Sequence, residues 1–462
     1  MPTTAKAATR VAPTIPDRSG HLCLTAASPT ERDLVASVRG PEMPRLGWGM
    51  PHFLAWESAN CSDPPPLTLS PAREPQVLRH NAPGADVNGR IITVGELTDH
   101  DEAHWRTLAE QAGQPNPLSE PDCVVPAAEH LENGRAILLV LAEEDGHLFG
   151  CLPVQRFGRW RGLWRPVLSS QVRRMQYDST PLLDRDRGGD AMRAMLVALS
   201  SASGDHGAGL VVFDWLDDGP ASTHVRAAAK ELGLLTYDYR SWVRPIIHRR
   251  DDGGYRAIHS RKFLHNVSRL RRRMSDDLGA DIQFVDRSDD PEVIEVFVRL
   301  EGAGYKGRNG VALAVHPDEM AWFKDMCARF QAAGRLRVYT LEGAGQTLAV
   351  ELGLRADDGL FLLKLSYDEA FAKYTPGIQL HLEVLDRFDT FDGVQWIDSC
   401  TFEGNQTMLR MYPDRRPVVS LVVAVGGSVD SGVLRLVGWS RRALGRQAAP
   451  TPHTADVDGV HG

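Results

Sequence analysis

Residues 361–385 read FLLKLSYDEAFAKYTPGIQLHLEVL. The Leu-rich opening predicts a buried strand, the mixed middle a short loop, and Thr375-Pro376-Gly377 the start of an amphipathic helix. Thr375 suits the N-cap and Pro376 the first helical position, where its missing N–H is no loss. Gly377 has no side chain to shield the amides of Gly377, Ile378 and Gln379, and the helix dipole adds partial positive charge there. The segment reads either as a backbone phosphate site or as an ordinary strand-to-helix turn.

Outward from it, the second half of the chain gives a strand at 281–285, helices at 291–301 and 316–333, and three strands at 335–341, 346–354 and 359–367, joined by the hairpin turns EGAG and ADDG. After the Pro376 helix come a strand at 394–398, a short helix near 405–411 and a strand at 417–425. The first half repeats this order: a strand at 91–94, a helix at 100–111, strands at 135–143 and 147–157 across an EDG turn, then a helix at 190–201, a strand at 209–215 and a helix at 221–232. A doubled β-α-α-β-β-β-α-β order predicts two similar α/β (α+β) units.

With 462 residues and 42% hydrophobic residues the chain exceeds one ordinary core. Net charge −8 and pI near 6.1 argue against a general nucleic-acid or membrane-surface binder. Six cysteines without CxxC pairs indicate neither a zinc module nor a disulfide framework, so a reducing cytoplasm is the expected home. No run approaches the roughly 18 apolar residues of a membrane span, and no signal peptide is expected. Residues 1–88, with PPP at 64–66, predict an irregular extension, and 442–462 a flexible tail. Oligomeric state is not legible here.

The stretches NPLSEPD (116–122), SRKFLHNVSRLRRRMSDDLG (260–279), EGAGYKGRNGVAL (301–313) and KLSYDEAFAKYTPGIQL (364–380) resemble the GCN5-related N-acetyltransferase (GNAT) superfamily, in particular its FemAB-like, BioF2-like double-GNAT group. The resemblance covers about 90–440. It implies two tandem GNAT-like domains, each a mixed, largely antiparallel sheet flanked by helices: a degenerate one at 89–250, where YDSTPLLDRDRGGD (177–190) lacks the YTPG element, and the acyltransferase at 251–441. It implies transfer of acetyl from acetyl-CoA, or another acyl-CoA, as co-substrate to an amine, such as an amino sugar or polysaccharide precursor. The usual pyrophosphate signature Q/R-x-x-G-x-G/A is absent, and TPGIQL stands in its place. Residues Tyr374 to Gln379 (Tyr374, Thr375, Pro376, Gly377, Ile378, Gln379) then form the donor site, with the thioester arm between the strands at 359–367 and 394–398. FemAB-type transfer from aminoacyl-tRNA and a non-catalytic partner protein are the alternatives.

Acyl transfer to an amine needs a base for the amine, a donor for the developing oxyanion and a proton for the leaving thiolate. Asp398, ending its strand at the cleft, is the leading base, or else caps the next turn. Glu351 shares a strand face with small residues, and either floors the cleft or pairs across the sheet with Lys364. Tyr367 and Tyr374 are candidate acids or packing residues. Lys306, in GYKG, and Lys364 and Asp368 are the substrate-side candidates.

Residues 255–274 carry seven Lys and Arg and no acid. Arg261, His265, Arg269 and Arg272 share one helix face, which suits phosphates of CoA or of tRNA, or simply solvent. Gly302, Gly304 and Gly307 match GxGxxG but follow a helix, which excludes a dinucleotide fingerprint. His100 and His104 have metal-ligand spacing amid acids that a helix's first turn explains, so no metal is expected, and no nucleophile elbow appears.

Overall fold

The computed structural model describes residues 87–443, apart from 161, 162, 174 and 252. The expected extension, save its last two residues, and the tail from 444 lie outside the described residues. The first half runs β1 (Asn88–Thr93), α1 (Asp99–Gln111), α2 (Pro121–His130), β2 (Ile137–Glu144), β3 (His147–Phe157), β4 (Val167–Ser169), β5 (Leu182–Leu183), α3 (Gly188–Ser201), β6 (Leu210–Asp217), α4 (Pro220–Glu231) and β7 (Leu235–His248). The second runs α5 (Arg261–Leu278), β8 (Gln283–Asp286), α6 (Val293–Ala303), α7 (Tyr305–Arg308), α8 (Pro317–Ala332), β9 (Leu336–Gly343), β10 (Gln346–Ala356), β11 (Gly359–Tyr367), α9 (Pro376–Asp386), β12 (Trp396–Asp398), α10 (Gln406–Met411), β13 (Asp414–Ala424) and α11 (Ser428–Ala443).

Local chemistry explains the punctuation. Asp145-Gly146 and Ala344-Gly345 both take positive φ, the twist a two-residue hairpin requires, and they join β2 to β3 and β9 to β10. Thr98 accepts from Asp101 N while the Asp101 carboxylate accepts from Thr98 N, a capping box that starts α1.

The strands form one sheet in the order β1-β2-β3-β4-β6-β13-β7-β12-β11-β10-β9-β8, with β5 beside β3. Read from either end the order is the same, except that the halves exchange their last strands: β13 pairs with β6, and β7 with β12. The pair β13·β7 forms the centre, and there Arg416 stands opposite Arg244. A continuous apolar layer under α1, α2, α6 and α8 covers one face of both halves. The other face is covered by α3 and α4 in the first half and by α5 and α9 in the second.

Each half contains one parallel pair, and both pairs are short. β11 and β12 match only from Gly359↔Trp396 to Phe361↔Asp398, then part, while the other edge of β11 stays on β10 as far as Tyr367. β4 and β6 match only from Val167↔Leu210 to Ser169↔Val212. The chain's own residues 170–180 cross that second gap: Ser170 N donates to Val212 O (2.9 Å) and Ser179 N to Trp215 O (3.3 Å), and Asp217 N donates to Thr180 Oγ1 (3.1 Å). The gap in the first half is crossed, and among the described residues β11 keeps an unpaired edge beyond Phe361.

Candidate active site

The β11–α9 connection adopts the elements its sequence predicts, with one difference at the cap. Thr375 is the N-cap of α9 but lies in the left-handed region (φ 56, ψ 52), and its side chain caps nothing. A β-branched residue held there is strained, and strain of this kind marks functional turns. Gln379 N is not free as expected: it donates to Thr375 O at 3.2 Å. The amides of Gly377 and Ile378 have no backbone acceptor among the described residues. Two converging N–H groups, rather than three, are left for an anion. Gly377 is closely packed: a Cβ there would stand 2.8 Å from Leu365 Cδ2 and 3.5 Å from Tyr367 Cδ1, so the Leu365 side chain would have to shift. Gln379 turns its amide to Tyr374 O (2.8 Å), and the Tyr374 hydroxyl is bonded to Asp277 of α5. Tyr374 therefore ties the loop to α5. Asp368 accepts from Ala370 N (2.9 Å), a turn cap rather than a free carboxylate.

Glu351 and Lys364 lie on opposite faces of the sheet. The register sets Glu351 opposite Leu365 and Lys364 opposite Leu352, which removes the cross-sheet pair considered from the sequence. Glu351 is 1% exposed, and its Oε1 lies 2.8 Å from His381 Nδ1. The contact is close without being aligned as a hydrogen bond; Glu351 Oε2, His381 Nε2 and the Tyr412 hydroxyl are also buried without partners. The Tyr412 ring meets His381 edge-on, with centroids 6.2 Å apart. Burial, reinforced by Glu351 and Asp398, pushes the Tyr412 phenol well above its ordinary range. This tyrosine holds its proton.

On the opposite face Lys364 and Lys306 converge on Glu301, at 2.8 and 3.1 Å, and Glu301 also accepts from Leu313 N (2.9 Å). Burial pushes the Glu301 carboxyl up, but the two lysines outweigh it and hold the group below the usual range. Burial lowers the Lys364 amine to about 8 against the opposing pull of Glu301. The folded state therefore binds fewer protons than the unfolded chain between pH 8 and the free-lysine value of about 10.4, so this group's contribution to stability is present above that window and is lost as pH falls through 8. We expect carbon-13 methyl-lysine NMR to show one resonance, absent in Lys364→Arg, titrating near pH 8; in Glu301→Gln it should titrate lower, because the attraction holding the proton is gone.

Asp398 belongs to a third group, at the sheet centre. It is 0% exposed. Its Oδ1 accepts from Cys400 N (2.7 Å), and its Oδ2 lies 3.5 Å from Arg244 Nη1 and 3.2 Å from Arg416 Nη1. Asp178 and Asp217 complete the cluster around Arg244, at 3.5 and 3.6 Å. Burial, then the neighbouring Asp178, pushes the Asp217 carboxyl up to about 7. Two guanidiniums thus face three carboxylates, of which Asp217 is partly protonated at neutrality. Both oxygens of Asp398 are engaged in this fully buried cluster, a placement that suits a structural partner of Arg244 and Arg416.

Glu301, His381, Tyr412, Arg244 and Arg416 were not picked out by the sequence reading. His381 offered a signal: it lies four residues after Gly377, on the helix face it shares with Val384 and Leu385. A cavity of about 810 Å³ lies elsewhere, at the start of β11 beside Arg337 and Arg355.

A mixed sheet whose parallel pair β11·β12 splays beside a helix start without a side-chain cap is the architecture of a GNAT-type acyltransferase. Residues 261–407 match the family model described as the acetyltransferase (GNAT) domain, and this segment is a GNAT acyltransferase domain. No curated protein matches the chain. Among solved structures, FemX aligns at 10% identity and TM-score 0.49, over 75% of this chain and 99% of that one. L-PGS from Bacillus licheniformis aligns at 12% and 0.41, over 73% and 96%. A tandem GNAT protein from the clavulanic acid biosynthesis pathway aligns at 14% and 0.40, over 74% and 99%.

Proposed function

We propose that the chain is an N-acyltransferase in which residues 251–441 move an acyl group, acetyl in the simplest case, from CoA to a primary amine, with 89–250 as a catalytically degenerate copy. The observation that carries this reading is the parting of β11 from β12 beside an α9 start whose Gly377 and Ile378 amides lack acceptors. The amides would take the pyrophosphate, helped by the shape of Thr375 and Pro376, and the free edge of β11 would hold the pantetheine arm by strand-like hydrogen bonds. In the first half the corresponding gap is crossed by residues 170–180, which supports the assignment of a single working site.

Transfer forms a C–N bond at the thioester carbonyl and breaks its C–S bond. Glu351, with His381 beside it, is our candidate acceptor for the amine's proton. Tyr412, with Tyr367 as the second choice, returns a proton to the departing thiolate. Lys306 and Lys364, on the sheet face opposite Glu351, and Asp368 at the loop edge are candidates for holding parts of the acceptor remote from its amine, and an amino sugar or polysaccharide precursor in the cytoplasm is the acceptor we favour. A second reading, transfer from aminoacyl-tRNA, draws support from α5, where Arg261, Lys262, Arg269 and Arg272 are exposed and not ion-paired among the described residues.

The two readings separate in one assay. Purified protein with acetyl-CoA and glucosamine should release free thiol above the hydrolysis background, and Glu351→Gln should lower kcat at least about a hundredfold, the usual contribution of general-base catalysis. Thiol release indistinguishable from background, with transfer from aminoacyl-tRNA instead, would overturn the CoA reading.

A further inference from the structure

The cavity at the start of β11, about 810 Å³, is bounded by the 286–290 segment, the facing ends of β9 and β10, and the 390–394 segment. It is separate from the thioester site: Leu360, in its wall, is among the first residues of β11, whereas α9 starts beyond the last, roughly 20 Å along the strand. Leu360, Phe391 and Val394 give the cavity an apolar side, and its volume suits a compact organic molecule.

Two half-buried guanidiniums stand on the other side. Arg337 faces Gly353 in the register of β9 with β10, and Arg355 lies two residues further along the same face of β10. Arg337 is anchored by Nη1, which donates to Gly334 O (2.9 Å) and Leu336 O (2.8 Å). Neither arginine has an ion pair among the described residues, and the Arg355 guanidinium has no hydrogen bond there either. Burial, then the neighbouring Arg337, lowers the Arg355 pKa below its ordinary value.

A pair of arginines alone would be an ordinary solvated face. What distinguishes this pair is Tyr339, which lines the same cavity and is 2% exposed. Phe284 and Phe391 stack against its ring, with centroids 5.4 and 5.2 Å away. Its hydroxyl has no hydrogen-bond partner among the described residues, and both arginines act on it. Burial, reinforced by Asp286, pushes the phenol pKa up against the pull of those arginines, so the group keeps its proton and is available as a donor. A phenol O–H and two guanidiniums on one cavity wall are the donor set of a carboxylate site.

The acids of the wall decide what else the ligand carries. Asp286 accepts from Ser288 N (2.9 Å), Asp290 accepts from Glu292 N (3.0 Å), and Arg287 is bonded to Glu342 (2.8 Å). Asp289 and Asp392 are exposed and unpaired among the described residues. Asp392 is near enough to Arg355 to oppose the lowering of its pKa, yet does not bond to it. A plain anion would be repelled by these two carboxylates, whereas a molecule with an ammonium next to its carboxylate matches both signs.

We propose that this cavity binds an amino acid with an apolar side chain: its carboxylate accepts from Arg337, Arg355 and Tyr339, its ammonium donates to Asp392, and its side chain lies on Leu360, Phe391 and Val394.

The test is calorimetric titration of the full chain with L-phenylalanine, against 3-phenylpropanoate, which lacks the amine, and 2-phenylethylamine, which lacks the carboxylate, at matched ionic strength. We expect L-phenylalanine alone to bind, and Arg355→Gln and Asp392→Asn each to weaken it about tenfold or more, the loss of one charge-assisted hydrogen bond. Neither side chain is bonded within the fold, so both variants should remain folded. Equal binding of either comparison compound, an unchanged affinity in either variant, or no binding at about 10 mM L-phenylalanine would each overturn the proposal.

Discussion

Replacing Asp398 by Ala should destabilise the protein by roughly 3–5 kcal/mol, the usual consequence of taking one partner from a buried ion cluster. Arg244 is 0% exposed, and Asp398 is one of three carboxylates within 3.6 Å of its Nη1. Removal leaves two guanidiniums to share Asp178 and a partly protonated Asp217, at the point where β7 and β13 cross between the halves. Because that pairing knits the whole sheet together, the loss should appear in global denaturation rather than as a local effect. Asp398→Asn keeps the shape but not the charge, and should lose stability in the same direction and by less. The measurement is the urea midpoint followed by both far-UV and tryptophan signals, whose coincidence checks that one transition is being read. If Asp398 were the catalytic base instead, Asp398→Asn would keep its midpoint and lose turnover.

The parts of the fold legible in the sequence were those encoded locally. β9, β10 and β11 alternate or run apolar between Gly-containing turns, and α9 announces itself by Thr-Pro-Gly, so this region was read nearly to the residue. β7 was missed because SWVRPIIHRR carries Pro245 and several arginines, which demote a strand unless another half of the chain buries them. α2, β4 and α11 were also absent from the reading, and α11 extends two residues into the expected tail. The exchange of last strands is a pairing between residues far apart in the chain, from Asp414 with Ile246 to Ala424 with Leu235, and local pattern carries no trace of it.

The site was legible to the same depth. Residues Tyr374 to Gln379 are contiguous and lie at the turn into α9, and Lys306 and Lys364 meet. Their meeting point, Glu301, lay inside the quoted EGAGYKG stretch, yet only the packing of α6 on β11 reveals its role. Alternation told which face of β10 carries Glu351, but not the register that places Lys364 behind the sheet and His381 above it. Asp398 at the end of β12 looked free because its two arginines come from β7 and β13.

The largest effect on donor binding should come from a single backbone amide. A side chain at Gly377 would collide with Leu365, so a change there confuses packing with binding. Ile378 is cleaner: its N–H makes no intrahelical bond, and proline is tolerated in a helix's first turn for that reason. Ile378→Pro deletes one of the two anion-facing donors, while Ile378→Ala trims the side chain and keeps the amide. One hydrogen bond to a charged group is worth about 1.5–3 kcal/mol, which corresponds to roughly a ten- to hundredfold change in affinity. The decisive measurement is titration of the wild type and both variants with acetyl-CoA. We expect the wild type and Ile378→Ala to bind alike, with Kd below about 1 mM, and Ile378→Pro to bind at least about tenfold more weakly. Equal binding by all three, or no binding by the wild type at about 10 mM donor, would contradict a CoA site at the start of α9.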